Sequence, residues 1–156
     1  MNEVVIYDES VSRHHAEIMF KEDEFYLRDI GSTTGTYIKI KDKIALQEGM
    51  IIEIGSYQFH VSEIVICATN PDQIIEDEDM REKSSIKLEI YDGPEESEKM
   101  DYKLGEGGSI GRKINNDICF PDDLHMSNLH CKISLLHDNF LLEDMASTNG
   151  YFYNSN

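Results

Sequence analysis

Ser12, Arg13, His14 and His15 bring a hydroxyl, a guanidinium and two imidazoles into four consecutive positions. Three kinds of chemistry use such a set. A serine beside a histidine is part of a hydrolytic triad, but a triad also needs a third group to orient the base and a strand-turn-helix setting for the nucleophile elbow, and neither stands nearby. Two histidines can ligate a metal, yet neighbours on an extended strand point to opposite faces and cannot easily share one ion. The remaining chemistry is a loop of polar donors. A second set of residues bears on that choice: Gly111-Arg112, then Ser127-Asn128-Leu129-His130, then Ser147-Thr148-Asn149-Gly150.

The two sets are related. Shifting the chain along itself by 115 positions places Ser12 on Ser127, His15 on His130, Asp29 on Asp144, and Ser32-Thr33 on Ser147-Thr148. Over residues 12–35, ten of twenty-four positions are identical without a gap, so a unit is duplicated. His14 falls on Leu129, which removes a catalytic or metal role common to both copies.

Short strands must carry these loops. Ala16, Ile18 and Phe20 alternate with Glu17 and Met19, and Phe25 and Leu27 alternate with Tyr26 and Arg28, the period of a half-buried strand. The polar run 21–24 between them reads as a hairpin connection, and 130–144 repeats the pattern. Further β-rich runs lie at 50–66 and 86–92, and no stretch keeps a 3.6-residue apolar stripe. The expected class is all-β, a sandwich of short, mainly antiparallel strands.

Composition narrows the partners. A net charge of −17 opposes binding to nucleic acid or to an anionic membrane surface, since both are polyanions. The three cysteines, Cys67, Cys119 and Cys131, lack C-x-x-C spacing, which implies a reducing compartment. With no secretory n-region and no apolar run near the roughly 20 residues of a membrane helix, the expected location is cytoplasmic or nuclear.

The residues resemble the forkhead-associated (FHA) family of phosphothreonine-binding β-sandwiches, whose pattern runs Gly-Arg, Ser-x-x-His, an alternating strand pair and Asp-x-x-Ser-x-Asn-Gly. Copy two carries all of it, in Gly111-Arg112, Ser127 to His130 and Asp144 to Gly150. The resemblance implies that Arg112, Ser127 and Asn128 hold the phosphate with help from Thr148, that Asn149 bonds the ligand backbone, and that Lys113 adds charge. It also implies that His15 and His130 brace the loops without touching ligand, with Gly111, Asp29, Asp144, Gly35 and Gly150 in structural roles. The physics agrees: a phosphate dianion calls for a planar multidentate cation plus neutral hydroxyl and amide donors that distinguish it from a carboxylate.

Neither copy matches the whole pattern. Copy one, residues 1–68, begins at Asn2 near the place of Asn116, with one residue fewer before Ser12, and so is expected to lack Gly-Arg; it also has Thr34 where the family asparagine belongs. Its Ser12, Arg13, Thr33 and Thr34 are expected to be a vestigial site. Copy two, residues 85–156, is expected to lack closing strands like those of 44–64, and an acidic linker at 69–84 separates the copies. Two arrangements follow. Either the strands at 85–112 fold back to complete copy one, bringing Arg112 toward Ser12 and Thr33, or the chain is a fragment of a longer two-domain protein, the reading favoured here. The expected function is non-enzymatic signalling: copy two binds a phosphothreonine-containing protein, needs no cofactor or metal, and avoids nucleic acid and membrane. The alternative is a degenerate FHA pair that acts as a structural or oligomerisation scaffold through open sheet edges. The acidic surface further suggests basic or apolar residues around the phosphothreonine.

Overall fold

The structure is a computed structural model that describes residues 2–40, 42–67, 83–92 and 100–154. The chain divides into two compact units, Met1–Ile38 and Lys39–Asn156.

In the first unit, β1 (Ala16–Lys21) and β2 (Glu24–Asp29) pair antiparallel from Ala16↔Asp29 to Lys21↔Glu24. Glu22 and Asp23 close the hairpin with φ of 55° and 63°, the left-handed pair of a two-residue type I′ turn, whose twist matches that of the strands. Phe20 packs on Phe25 with ring centroids 4.9 Å apart, and Arg28 pairs with Glu17 across the strands. Phe25 and Ile18 nevertheless stay 77% and 72% exposed, so the expected half-buried face is not covered.

The second unit holds two sheets. Its strands are β3 (Ile38–Ile40), β4 (Ile44–Ala45), β5 (Ile51–Ile54), β6 (Tyr57–Val65), β7 (Ser85–Asp92), β8 (Asp101–Leu104), β9 (Gly107–Gly111), β10 (Ile118–Cys119), β11 (Cys131–Leu136), β12 (Asn139–Asp144) and β13 (Tyr151–Asn154). One sheet runs β10-β9-β11-β12-β4 and the other β3-β13-β5-β6-β7-β8. The β11–β12 hairpin repeats β1–β2 residue for residue, with His137 and Asp138 at positive φ in its turn. Here its alternation does bury a face: Cys131, Ile133, Phe140 and Leu142 are at most 1% exposed and meet Ile52, Ile54, Phe59, Val61, Ile86 and Leu88 in one core. The expected all-β sandwich is the fold observed.

The completion of that sandwich differs from the fold-back onto copy one, and copy two has closing strands after all. Strands 85–112 do not join copy one: β9 pairs with β11 of copy two, Cys131 opposite Ile110. Nor does copy two lack closing strands. The β5–β6 hairpin, which lies upstream of it in sequence, inserts between β13 and β7, with Tyr151 opposite Ile54 and Leu88 opposite Val61. The division accordingly falls after Ile38 rather than at 68. Register supplies the reason: β7 sets Ile90 opposite the fully buried Phe59 and Leu88 opposite the fully buried Val61, and β7 leads through β8 and β9 into copy two. The expected linker at 69–84 lies outside the described residues except for 83 and 84, where the Ser84 hydroxyl accepts a bond from Cys67 N at 3.0 Å. No helix among the described residues is long and apolar enough to cross a membrane.

Candidate functional site

Three loops meet at one end of the second unit. The first leaves β9 at Gly111-Arg112. Its backbone lies against the second loop, 120–130, with Arg112 N donating to Ser127 O at 2.9 Å and Lys113 N to Asn128 O at 3.1 Å. This approach leaves no room for a side chain at 111, where a Cβ would sit 2.5 Å from Asn128 O. Asn116 clamps the first loop by donating from Nδ2 to Lys113 O at 2.6 Å and to Asn128 O at 2.8 Å.

The third loop, 144–150, is tied to the second through Ser127, whose Oγ accepts from Thr148 N at 3.1 Å. A hydroxyl that accepts still has its own hydrogen to give. Asn149 Nδ2 donates to His125 O at 2.9 Å, which uses part of an amide that carries two N–H donors and an acceptor. Beneath them His130 is fully buried. Its Nδ1 accepts from Ser127 N at 3.1 Å and its Nε2 lies 2.8 Å from Gly150 O, geometry that calls for the Nε2–H tautomer. Asp144 takes bonds from Ser147 N and Oγ, and Ser147 Oγ in turn accepts from Gly150 N at 2.8 Å. Arg112, Ser127, Asn128, Thr148 and Asn149, separated by up to 37 positions in sequence, thus stand on three mutually bonded loops. Lys113, Asn128, Thr148 and Asn149 are exposed, Arg112 and Ser127 half-buried.

The first unit keeps the same bonds. His15 Nδ1 accepts from Ser12 N at 3.0 Å, and its Nε2 lies 3.0 Å from Gly35 O. Thr33 N donates to Ser12 Oγ at 3.0 Å, and Asn2 Nδ2 donates to Arg13 O, as Asn116 does to Asn128 O. Thr34 stands in for Asn149: its hydroxyl donates to Ser10 O at 2.8 Å, and Ser10 is the repeat counterpart of His125. Asp29 receives Ser32 Oγ, Ser32 N, Thr36 Oγ1 and Gly31 N, and these donors hold its carboxyl far below the usual range, the Ser32 hydroxyl most strongly. One difference touches ligand chemistry. The Ser12 hydroxyl also donates to Thr33 Oγ1 at 3.4 Å, which turns its hydrogen inward. Both ring nitrogens of His15 are engaged in the loops, and His14 is exposed.

Asn116, Asp123 and Ser56 were not singled out from sequence. Asn116 was detectable, because Asn2 stands at the matching place in copy one. Asp123 was not. Buried at 7% exposure, it accepts from Ser56 N at 2.8 Å, Ser56 Oγ at 3.0 Å and His125 N at 2.8 Å, joining the β5–β6 turn to the Ser127 loop. Among the described residues no group of three or more His, Cys, Asp or Glu side chains is placed to hold a metal ion.

The FHA domain family model matches residues 1–55 and 108–156, most of the chain in two segments. An FHA domain-containing protein of Arabidopsis thaliana is 32% identical over 72 residues, which are 46% of this chain and 19% of the relative. The oxoglutarate dehydrogenase inhibitor of Corynebacterium glutamicum is 37% identical over 59 residues, 36% of this chain and 41% of the relative. The glycogen accumulation regulator GarA of Mycobacterium tuberculosis is 34% identical over 59 residues, 36% of each chain. The chain therefore spans less than half the length of these relatives. No solved structure matches it.

Proposed function

Because the chain belongs to the FHA domain family, we propose that its second unit is a phosphothreonine-dependent protein-interaction module without catalytic activity. The observation that carries this reading is the joining of three loops through Ser127, whose carbonyl accepts from Arg112 N and whose Oγ accepts from Thr148 N. These bonds set the loop that carries Arg112 beside the loops that carry the Ser127 hydroxyl and the Asn128 and Asn149 amides. Arg112 supplies the charge-assisted, two-pronged bond to the phosphate, Ser127, Asn128 and Thr148 the neutral donors, and Asn149 the contact to the peptide backbone. Lys113 adds field. The partner is a phosphothreonine-containing protein, and the inhibitor and regulator names of two relatives agree with a role in controlling other proteins.

The first unit keeps the scaffold of the loops but turns the Ser12 hydroxyl toward Thr33 Oγ1, and its Ser12, Arg13, Thr33 and Thr34 do not bind phosphopeptide alone. The test is fluorescence polarisation with one peptide in its threonine and phosphothreonine forms. Only the phosphorylated form binds, and Arg112→Ala weakens it by about 1.5–3 kcal/mol, tenfold or more. Equal binding of the two forms would overturn the proposal.

One observation favours a scaffold reading as well: the first unit exposes Ile18, Phe20, Phe25 and Leu27 on an unpartnered hairpin. If assembly were the function, the solution mass would rise with concentration and Arg112→Ala would change nothing.

A further inference from the structure

The outer edge of β1 is open. Among the described residues β1 pairs only with β2, in a sheet of two strands. The corresponding edge is occupied in the second unit, where β9 pairs with β11 from Cys131↔Ile110 to Ser134↔Gly107, and residues 131–134 are the repeat counterparts of 16–19. Nothing in β1 guards the edge: its six residues hold no proline, its register with β2 has no bulge, and its one lysine stands at the end. Native edges that stay unpaired carry such devices. A two-stranded hairpin is also marginal in water, and independent stability takes three strands or more with an apolar face.

The ladder fixes which groups face outward. Directly opposite residues of an antiparallel pair alternate between bonded and non-bonded. Ile30 N donates to His15 O at 3.0 Å, so the residues bonded to β2 are His15, Glu17, Met19 and Lys21, and the N–H and C=O of Ala16, Ile18 and Phe20 point away from it. Side chains divide by the same alternation. Ile18 and Phe20 share the exposed apolar face with Leu27 and Phe25, while Glu17, Met19 and Lys21 lie on the other face. One register makes this edge complementary to itself. With β1 of a second copy antiparallel and Met19 opposite Met19, the outward groups of Ile18 meet those of Phe20 of the other copy, and Glu17 faces the other copy's Lys21. A shift by one residue would set outward groups against inward ones. Both charges are available: Lys21 meets only the exposed Glu22, at 3.2 Å, and Glu17 meets Arg28 through Oε1, leaving Oε2.

Area distinguishes edge pairing from stacking of two faces. Phe20 and Phe25, 62% and 77% exposed, offer about 200–350 Å² at roughly 150–250 Å² for each buried aromatic side chain. With Ile18 and Leu27 the patch still falls short of the ~800 Å² that each partner gives to a specific interface, so apolar contact alone is too small. Backbone bonds along an edge supply the remainder. We propose that β1 is a homodimerisation edge: two copies join β1 to β1 about a two-fold axis into one four-stranded sheet, β2-β1-β1-β2, with two Glu17–Lys21 pairs across the seam. The inference rests on the assembly reading above, to which it gives a surface and a register, and is independent of the phosphothreonine one.

Sedimentation equilibrium on the whole chain tests it with three proteins: the natural sequence, Glu17→Lys and Lys21→Glu. The natural chain reaches twice its single-chain mass as concentration rises, and no more. Each variant alone sets like charges opposite one another twice per pair and associates about tenfold or more weakly. Mixed in equal amounts, the two variants restore the pair, because every cross-strand contact then joins a lysine to a glutamate. Amide hydrogen exchange on the natural chain needs no variant: the N–H groups of Ile18 and Phe20 gain protection as concentration rises. A natural chain that stays single at every concentration overturns both this inference and the assembly reading. Association that the mixture fails to restore, a mass that grows beyond two chains, or Ile18 and Phe20 amides that stay unprotected overturns the β1 edge and leaves the assembly reading standing.

Discussion

At the residue scale the two copies divide sharply between bracing and binding. The bracing set, His15 with Ser12 and Gly35 and His130 with Ser127 and Gly150, is repeated bond for bond. These residue types were readable in advance because such geometry tolerates few substitutes: an imidazole presents an acceptor and a donor on opposite sides of a rigid ring. Asp117 shows how a carboxylate adds to this bracing. The Ser109 N–H and then its O–H hold the Asp117 carboxyl below its ordinary value of 3.8. A depressed folded value means that the unfolded chain binds the proton more readily, so the stabilisation is present above 3.8 and disappears as pH falls through the lower folded value. Urea midpoints measured on acidification below 3.8 should fall less steeply for Asp117→Asn than for the natural chain.

At the element scale the informative piece is the β5–β6 hairpin. Its apolar alternation was legible, and its strands form as the pattern suggests, with Ile52, Ile54, Phe59 and Val61 fully buried. Which copy it would close was not legible, since a strand pair fits any sheet that offers a matching register. Asp123 then fastens the turn of this hairpin to the loop bearing Ser127. Asp123→Ala takes the shared acceptor from Ser56 N, Ser56 Oγ and His125 N at once, and should lower unfolding free energy by about 2–4 kcal/mol. Ser56→Ala removes one bond and should cost about 0.5–1.5 kcal/mol. Denaturant titration separates the two. A smaller effect for Asp123 than for Ser56 would mean that the turn and the loop are not coupled in this way.

For the whole molecule, every residue of the buried core lies at position 46 or beyond, while the first unit exposes most of its apolar side chains. An isolated two-stranded hairpin is marginal in water because it buries too little surface to offset its ordering. Two truncations follow from this asymmetry. Residues 39–156 alone should keep the urea midpoint of the full chain. Removal of 44–65 should abolish cooperative unfolding, since it deletes the two strands between β13 and β7. Retention of fold by the second truncation would place the closing strands elsewhere.

From the order of residues alone come the duplication, the alternating strand pairs and the loop donors. All of these depend on local geometry or on a repeat visible in one dimension. The tertiary structure decided which half-sandwich the single set of closing strands completes, and with it why Phe25 is exposed while Phe140, its repeat counterpart, is buried. The two hairpins present nearly the same alternation, so no local signal separates them. The difference arises because β7, which supplies the matching edge and the apolar partners Ile86 and Leu88, is continuous with only one of them.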